Sequence, residues 1–294
     1  MTDAPLTRLT LSTGVELDVQ IAGPENAPAV ILLHGFPESH RTWRHIVPDL
    51  ARDHRVVAPD QRGYARSSKP EGIAAYAPDR IVADLLALAD ALGIDRFTLV
   101  GHDWGGAIAW MAALGHPDRI ERLVIVNAPH PLVFQRSLFD DPAQRAASQY
   151  ITRFRDTGLD RGLIGEGLER FFTSNFAAHV TTAIAGADKA AYLDEWGQPG
   201  AMTAMLNWYR ASPITVPAAG ETPSRPAFLD APFPPVTQPT LVIWGTQDRA
   251  LLPVQLEGLD TLVPNLTIER VDAGHFVPWQ NPAAVIAAMR QWGI

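Results

Sequence analysis

The chain has 294 residues, a formal charge of −8 and no cysteine. The lack of cysteine excludes disulfides, thiolate metal sites and a cysteine nucleophile, and the acidic balance argues against a nucleic-acid partner. Residues 1–13 show no signal-peptide pattern, and no apolar run approaches the roughly 18 residues of a membrane helix, so we expect a cytoplasmic protein with no membrane partner.

Short apolar runs alternate with helical patterns along the first part of the chain. Residues 8–13 and 15–21 are predicted to form an antiparallel pair of strands, and the unbroken apolar run Ala29–Leu33 is typical of a buried strand. A helix is predicted around residues 81–92, where leucines recur at helical spacing before Gly93. Further strands are predicted at residues 55–58, 97–100, 123–126, 240–244 and 266–268, and a last helix at about 281–292. This succession predicts an α/β fold in which helices flank a mostly parallel sheet.

The strand pattern is interrupted between residues 130 and 235, which have helical patterning and a proline-rich end. We therefore predict a core domain formed by residues 1–129 and 236–294. Residues 130–235 are expected to be inserted between two strands as a helical cap, or lid, over the carboxyl edge of the sheet. Ligands bind at this edge in such folds.

The turn after the predicted strand 97–100 carries an aspartate. The sequence Gly101-His102-Asp103-Trp104-Gly105-Gly106 joins an apolar run to a helical stretch, the context in which a sharp turn exposes a nucleophile. A carboxylate with an ordinary pKa of about 3.9 is ionised at neutral pH without the help of a base. It suits displacement at a saturated carbon, with formation of an alkyl ester.

Two more polar residues follow predicted strands later in the chain. Asp248 lies just after the strand at 240–244, and His275 lies after the last predicted strand. Either residue alone would be ordinary. The order nucleophile, acid, histidine is the one associated with the nucleophile turn, so we predict a catalytic triad of Asp103, Asp248 and His275.

The turn His34-Gly35-Phe36-Pro37 directly follows the strand Ala29–Leu33. The backbone N–H groups of Phe36 and Trp104 are expected to form an oxyanion hole. His34 is expected to support the turn, and the bond before Pro37 is expected to be cis.

These motifs, together with Asp60-Gln61-Arg62-Gly63-Tyr64, resemble the α/β-hydrolase superfamily over nearly the whole chain outside the insertion. The chain looks most similar to the soluble epoxide hydrolases, with haloalkane and fluoroacetate dehalogenases as neighbouring branches. The resemblance implies that Asp103 opens an epoxide to give a covalent alkyl ester. It also implies that His275, oriented by Asp248, activates the water that hydrolyses this ester to a vicinal diol.

The resemblance also suggests what receives the ring oxygen. In epoxide hydrolases the donors are cap tyrosines, and Asn207-Trp208-Tyr209-Arg210 is similar to the family's cap motif, which implies that Tyr209 is a donor. Tyr150 is the candidate for a second donor, although an ungapped alignment places the family's tyrosine nearer Arg153. The remaining tyrosines are interpreted as packing residues.

Two alternatives stay open. A haloalkane dehalogenase would use the same triad but would need two N–H donors for the halide, for which Trp104 and either Trp196 or Trp208 are candidates. A relative that kept the fold and lost turnover would only bind a ligand. The presence of all three triad residues argues against that second alternative.

The pocket is expected to be apolar and to take a small hydrophobic epoxide together with water. No cofactor is needed for this chemistry, and the histidines show no metal-ligand spacing. The oligomeric state is left open. The residues expected to line the pocket are His34, Phe36, Pro37, Trp104, Phe134, Leu138 and Met205.

Overall fold

The computed structural model describes residues 5–180 and 182–294. The strands are β1 (Thr7–Thr10), β2 (Glu16–Ala22), β3 (Ala29–Leu33), β4 (Arg55–Pro59), β5 (Phe97–His102), β6 (Ile120–Val126), β7 (Thr240–Gly245) and β8 (Leu266–Val271). They form one sheet in the order β1-β2-β4-β3-β5-β6-β7-β8. The β1/β2 and β2/β4 pairs are antiparallel and the other pairs are parallel. The mostly parallel sheet that the sequence predicts is therefore confirmed.

Helices cover the sheet and fill the segment between β6 and β7. No helix formed by the described residues combines the length and apolar character that crossing a bilayer demands. The α-helices are α1 (Val47–Leu50), α2 (Pro78–Ala91), α3 (Trp104–Gly115), α4 (Pro131–Asp140), α5 (Pro142–Ala147), α6 (Gln149–Phe154), α7 (Glu166–Phe171), α8 (Gly186–Trp196), α9 (Ala201–Ala211), α10 (Val277–Gln280) and α11 (Pro282–Gln291).

The core lies on both faces of the sheet. In β3, Val30 and Leu32 pack into an apolar cluster with α1, α10 and α11, whereas Ile31 and Leu33 pack into a larger cluster with α2 and α3. A strand that is buried on both faces has no polar side, which explains the unbroken apolar runs in the sequence.

The predicted final helix at about residues 281–292 corresponds to α11, and the short helix α10 directly precedes it. Pro282 occupies the first turn of α11, where its missing N–H leaves no buried donor unpaired. The Asn281 side chain accepts a hydrogen bond from the Ala284 N–H at 3.2 Å and caps the new N-terminus. The chain therefore ends α10 at Gln280 and starts a second helix two residues later.

The segment between β6 and β7 contains α4 to α9 and no strand among its described residues. Two tryptophans attach it to the rest of the molecule. The Trp196 indole N–H donates to the Pro37 carbonyl at 2.6 Å, and that of Trp208 donates to the Arg62 carbonyl at 3.0 Å. Both acceptors belong to loops that follow strands, so the helical segment lies over the carboxyl edge of the sheet.

Helix α3 approaches the sheet so closely that Gly105 has no space for a side chain. An added Cβ would lie 2.2 Å from the Leu33 carbonyl oxygen and 2.6 Å from that of His34, and both are backbone atoms in the core. We expect Gly105→Ala to lower the free energy of unfolding in urea by about 1–3 kcal/mol, the usual cost of overpacking, because α3 must move away.

Gly115→Ala, at the other end of the same helix, is the matched control for this prediction. Nothing lies within 4 Å of a Cβ added there, so this change is expected to leave stability unchanged or to increase it through helix propensity. Equal unfolding midpoints for the two variants would contradict the close approach of α3.

Candidate active site

The Asp103 backbone adopts a conformation that is rare for any residue other than glycine. Asp103 lies between β5 and α3 with φ +50° and ψ −119°, and such strained turns are found where a side chain must be held in place. The Phe36 N–H donates to Asp103 Oδ1 at 2.7 Å. This approach requires Gly35, since a Cβ there would lie 2.4 Å from the Asp103 Cβ. The bond between Phe36 and Pro37 is cis, as the sequence predicts.

Asp103 is ionised at neutral pH. Burial raises its pKa, but the hydrogen bond and charge of His275, together with the Phe36 N–H, outweigh burial and bring the pKa below its ordinary value. The carboxylate therefore needs no base to become a nucleophile.

The structure brings Asp248 and His275 to the same edge of the sheet. His275 Nδ1 lies 2.7 Å from Asp248 Oδ2, and His275 Nε2 lies 3.4 Å from Asp103 Oδ2. Asp248 Oδ1 accepts the N–H groups of Ala250 at 2.8 Å and Leu251 at 3.0 Å. The histidine is thus held between two carboxylates.

These two carboxylates set the protonation of His275. Burial lowers the pKa of its imidazole, but the charge of Asp248 and the hydrogen bonds to both aspartates raise the pKa well above its ordinary value. While Asp103 is anionic, His275 is therefore an imidazolium that pairs with it.

Asn127 is a buried supporting residue whose role the sequence does not reveal. It follows β6 with φ +40°, where its side-chain N–H donates to Asp248 Oδ2 and its carbonyl oxygen accepts the Gly245 N–H, both at 2.7 Å. Asn127 therefore contacts the same oxygen of the Asp248 carboxylate as His275 does. Its position directly after a strand is the only signal in the sequence.

Gln144 is a second supporting residue that sequence reasoning missed. It is fully buried on α5 and holds the loop after Asp248 through the Ala250 carbonyl and the Leu252 N–H, both at 2.8 Å. Its amide also donates to the hydroxyl of Ser148 at 2.9 Å, and Ser148 is the N-terminal cap residue of α6. One amide therefore joins the acid loop to the helix that carries Tyr150.

His102 lies behind the histidine of the candidate triad. Its Nε2 is 2.9 Å from the His275 carbonyl oxygen, and its Nδ1 is 3.2 Å from Glu38 Oε2. Both side chains are fully buried. With Nε2 assigned as the donor, His102 fixes the backbone of His275 from the core side.

Tyr150 and Tyr209 face the Asp103 carboxylate from the helical segment. Their ring centroids are 6.2 Å apart, and both side chains line the same two cavities as Asp103. Burial and the charge of Asp103 raise the pKa of each phenol, so both keep a proton to donate. The Trp104 ring packs edge-on against the Tyr209 ring, with 5.1 Å between their centroids.

Two cavities meet at these residues. A cavity of about 200 Å³ is lined on its polar side by His275, His179 and Arg249, and one of about 130 Å³ has a mainly apolar lining that includes Phe134 and Trp104. Of the residues that the sequence predicts in the pocket, Phe134 and Trp104 line the smaller cavity and Phe36 lines the larger one.

Four other residues expected in the pocket lie outside both cavities, and the structure corrects these expectations. Leu138 and Met205 are packed into the apolar core. His34 is fully buried, and its Nε2 accepts the Gln61 N–H at 3.1 Å, so it supports the turn. The carbonyl of Pro37 accepts a hydrogen bond from the Trp196 indole N–H, so Pro37 belongs to a contact that attaches the helical segment.

Two of the three tryptophans offered as halide donors have other partners. The indoles of Trp196 and Trp208 donate to the backbone carbonyls of Pro37 and Arg62. The geometry therefore gives a leaving oxygen two phenol donors, whereas among the described residues Trp104 is the one candidate of the three whose indole is not already donated to a carbonyl.

Comparison with known proteins gives consistent matches. A family model described as alpha/beta hydrolase fold matches residues 28–282. The chain is 35% identical to the AB hydrolase superfamily protein YfhM of Bacillus subtilis, with 93% of each chain covered. It is 31% identical to epoxide hydrolase A of Mycobacterium tuberculosis, with 98% of this chain and 97% of that protein covered. A solved structure described under novel epoxide hydrolases of the alpha/beta hydrolases superfamily, from metagenomes of hot environments, has 48% identity and a TM-score of 0.92 over 99% of both chains.

Proposed function

This chain belongs to the alpha/beta hydrolase fold family, and on that premise we propose that it is an epoxide hydrolase that converts an epoxide and water into a vicinal diol. The observation that carries the proposal is the ionised Asp103 at the strained turn, with two protonated tyrosines lining the same cavities. We propose that residues 130–235 act as the cap that presents these tyrosines.

In the first step, Asp103 Oδ2 attacks one carbon of the ring. The carbon–oxygen bond of the ring breaks, and the ring oxygen takes its proton from Tyr209 or Tyr150. Oδ1 becomes the carbonyl oxygen of the new ester and keeps the hydrogen bond that the Phe36 N–H donates to it at 2.7 Å. The N–H of Trp104, the first residue of α3, is the proposed second oxyanion donor.

Formation of the ester changes the protonation of His275. The Asp103 charge and hydrogen bond raise the pKa of His275, and alkylation removes the charge. The imidazole pKa then falls, so His275 loses its proton and becomes a base when water must be activated. The proton that His275 loses goes back to the tyrosinate that ring opening left behind.

In the second step, His275 takes a proton from water while the water oxygen attacks the Asp103 Cγ. The tetrahedral oxyanion accepts hydrogen bonds from the two backbone N–H groups. Each such donor stabilises the transition state by roughly 3–4 kcal/mol in related acyl chemistry. The Cγ–Oδ2 bond then breaks, the diol leaves with a proton from His275, and the Asp103 carboxyl passes its remaining proton to His275, which restores the carboxylate and the imidazolium. Asp248 keeps the imidazole oriented through both protonation states.

The direct test is product analysis with styrene oxide and a chloroalkane. We expect styrene glycol from the first and no halide from the second. Asp103→Asn, which removes the charge and keeps the shape, is expected to give neither product. Halide without diol would make the protein a dehalogenase, and no product or adduct from either compound would favour a ligand-binding relative. A cytoplasmic location stays a prediction.

Gln144 joins the loop after Asp248 to Ser148, so we expect it to support this reaction by positioning Asp248 and Tyr150. Gln144→Ala removes three buried hydrogen bonds that hold the acid loop and Ser148. We expect turnover to fall by about tenfold, equivalent to roughly 1.4 kcal/mol of lost positioning, because both Asp248 and Tyr150 become less fixed.

Gln238→Ala is the control, because Gln238 is also buried and donates to the Ala113 carbonyl at 3.0 Å, near the start of β7 and away from the site. Both variants are expected to be less stable, and steady-state kinetics well below their unfolding temperatures separates the two effects. The same loss of turnover in both variants would reduce Gln144 to a folding role.

A further inference from the structure

One side chain joins the two helices that carry the phenols. Tyr150 lies on α6, and Tyr209 lies in the last turn of α9. Arg155 directly follows α6, and its guanidinium contacts the end of α9 and the loop after it. Nε donates to the Tyr209 carbonyl at 2.9 Å, and Nη2 donates to the carbonyls of Ser212 at 3.0 Å and Ile214 at 2.7 Å.

The Tyr209 carbonyl needs a donor from outside α9. The last carbonyls of an α-helix have no partner within the helix, and the Ser212 N–H lies 3.4 Å from the Tyr209 oxygen. A cation also interacts favourably with the negative end of the helix dipole. Arg155 is half-buried and forms no ion pair among the described residues. Its guanidinium therefore serves the backbone carbonyls at this helix end.

The same end of α6 also contacts the ring of Tyr209. The Phe154 ring centroid lies 5.0 Å from that of Tyr209 and 5.6 Å from that of Tyr150. Apolar packing of this kind is non-directional, whereas hydrogen bonds constrain both distance and angle. The ring contacts thus keep the phenols close together, and the hydrogen bonds of Arg155 fix where α9 ends relative to α6.

The relative position of the two phenols matters for ring opening. Their ring centroids are 6.2 Å apart, and both side chains line the cavities at Asp103. Two phenols stabilise one leaving oxygen only if both hydroxyls come within about 2.5–3.0 Å of it. A misplacement of about 1 Å can slow a reaction by about 10²-fold, so a small shift of α9 would remove the Tyr209 hydroxyl from an oxygen that Tyr150 still contacts.

We propose that Arg155 is a positioning residue for ring opening, which sets the spacing of the two phenols by joining the end of α9 to the end of α6. This inference rests on the proposed hydrolase function. Arg155 lines neither cavity at Asp103, so it acts through Tyr209 and does not touch the substrate. Its loss therefore slows formation of the ester and leaves ester hydrolysis, which depends on His275 and the oxyanion donors, unchanged.

The test measures the two steps separately, in single turnovers with styrene oxide. For Arg155→Gln we expect ester formation to slow by about tenfold, because the contact with Phe154 still limits the shift of Tyr209. Arg155→Lys keeps the charge and loses the fork of donors, so its loss should be about threefold. The rate of ester hydrolysis should equal that of the wild type in both variants.

Arg119→Gln is the matched control. Arg119 is also half-buried and donates to two loop carbonyls, those of Asp95 at 2.6 Å and Ile94 at 3.1 Å. These residues precede β5 and β6 and so lie at the opposite edge of the sheet from Asp103. The control is expected to lose stability without a change in either step.

A double variant separates positioning from a general loosening of the fold. In a Tyr209→Phe background there is no second phenol to position, so Arg155→Gln should slow ester formation by less than about twofold. Arg155→Lys is put through the same comparison and decides the question if Arg155→Gln does not fold.

Three results would contradict the role of Arg155 while the hydrolase function stands. They are wild-type rates of ester formation in the Arg155 variants, equal losses in ester formation and hydrolysis, and equal slowing with Tyr209 and with Phe at position 209. If the wild type forms neither an ester nor a diol from styrene oxide, the proposed function itself fails.

Discussion

Replacement of His275 by Gln is expected to stop the reaction at the covalent intermediate. Gln cannot accept a proton from water, so hydrolysis of the ester should slow by about 10²–10⁴-fold, the usual contribution of a positioned base. Attack by Asp103 does not need a base, because its carboxylate is already ionised. Intact-protein mass spectrometry after exposure to styrene oxide should therefore show one substrate-sized adduct per chain, which peptide mapping should place on Asp103.

Loss of the imidazolium also removes one interaction that keeps Asp103 ionised. For this reason the adduct should form more slowly than in the wild type, but it should accumulate. His116→Gln, on the surface at the end of α3, is the control and should turn over normally without an adduct. An unmodified mass for His275→Gln after long exposure would count against a covalent mechanism.

Removal of both phenol hydroxyls is expected to abolish ring opening. Tyr150 and Tyr209 are the two phenols that line both cavities with Asp103, and each keeps a proton that can stabilise the leaving oxygen. The double variant Tyr150→Phe/Tyr209→Phe should lose about 10²–10⁴-fold in the rate of ester formation, and each single variant should lose less because the other hydroxyl remains. Stopped-flow tryptophan fluorescence, with Trp104 in contact with Tyr209, can follow this step.

The rate at which the preformed ester is hydrolysed should change little in the same variants, because His275 and the oxyanion donors catalyse that step. Tyr192→Phe is the matched control, because Tyr192 is a buried tyrosine on α8 that lines neither cavity at Asp103. Equal losses in both steps for the single tyrosine variants would assign these residues to packing instead of proton donation.

The sequence predicts the framework of the site well because each triad residue follows a strand. Carboxyl ends of parallel strands meet at one edge of a sheet, so strand order alone brings Asp103, Asp248 and His275 together. The buried strands are recognisable for a related reason, since coverage on both faces leaves an apolar run such as Ala29–Leu33.

The supporting contacts could not be predicted in the same way. Gln144 lies more than a hundred residues before the loop that it holds, and no local pattern separates it from a surface glutamine. No local pattern marks Asn127 either, because its contacts to Asp248 and Gly245 depend on how β6 packs against β7. Long-range hydrogen bonds carry no sequence periodicity.

The apolar residues that line the pocket could not be predicted reliably from the sequence either. Leu138 and Met205 have the composition of a pocket wall, but both are in the core, while Ile214 and Leu251 line the smaller cavity. Apolar character predicts burial and does not distinguish a core position from a cavity wall. Tyr150 could be placed only in a region, until its position on α6 showed that it faces Asp103 together with Tyr209.

The central claim is that the Asp103 side chain bonds to carbon before water takes part. A single turnover in heavy-oxygen water, with enzyme in excess over epoxide, tests this claim most directly. We expect one heavy oxygen in the peptide that contains Asp103 and an unlabelled oxygen on the new hydroxyl of the first diol released. Label in that diol, with an unlabelled Asp103 peptide, would show direct attack by water and contradict the covalent mechanism.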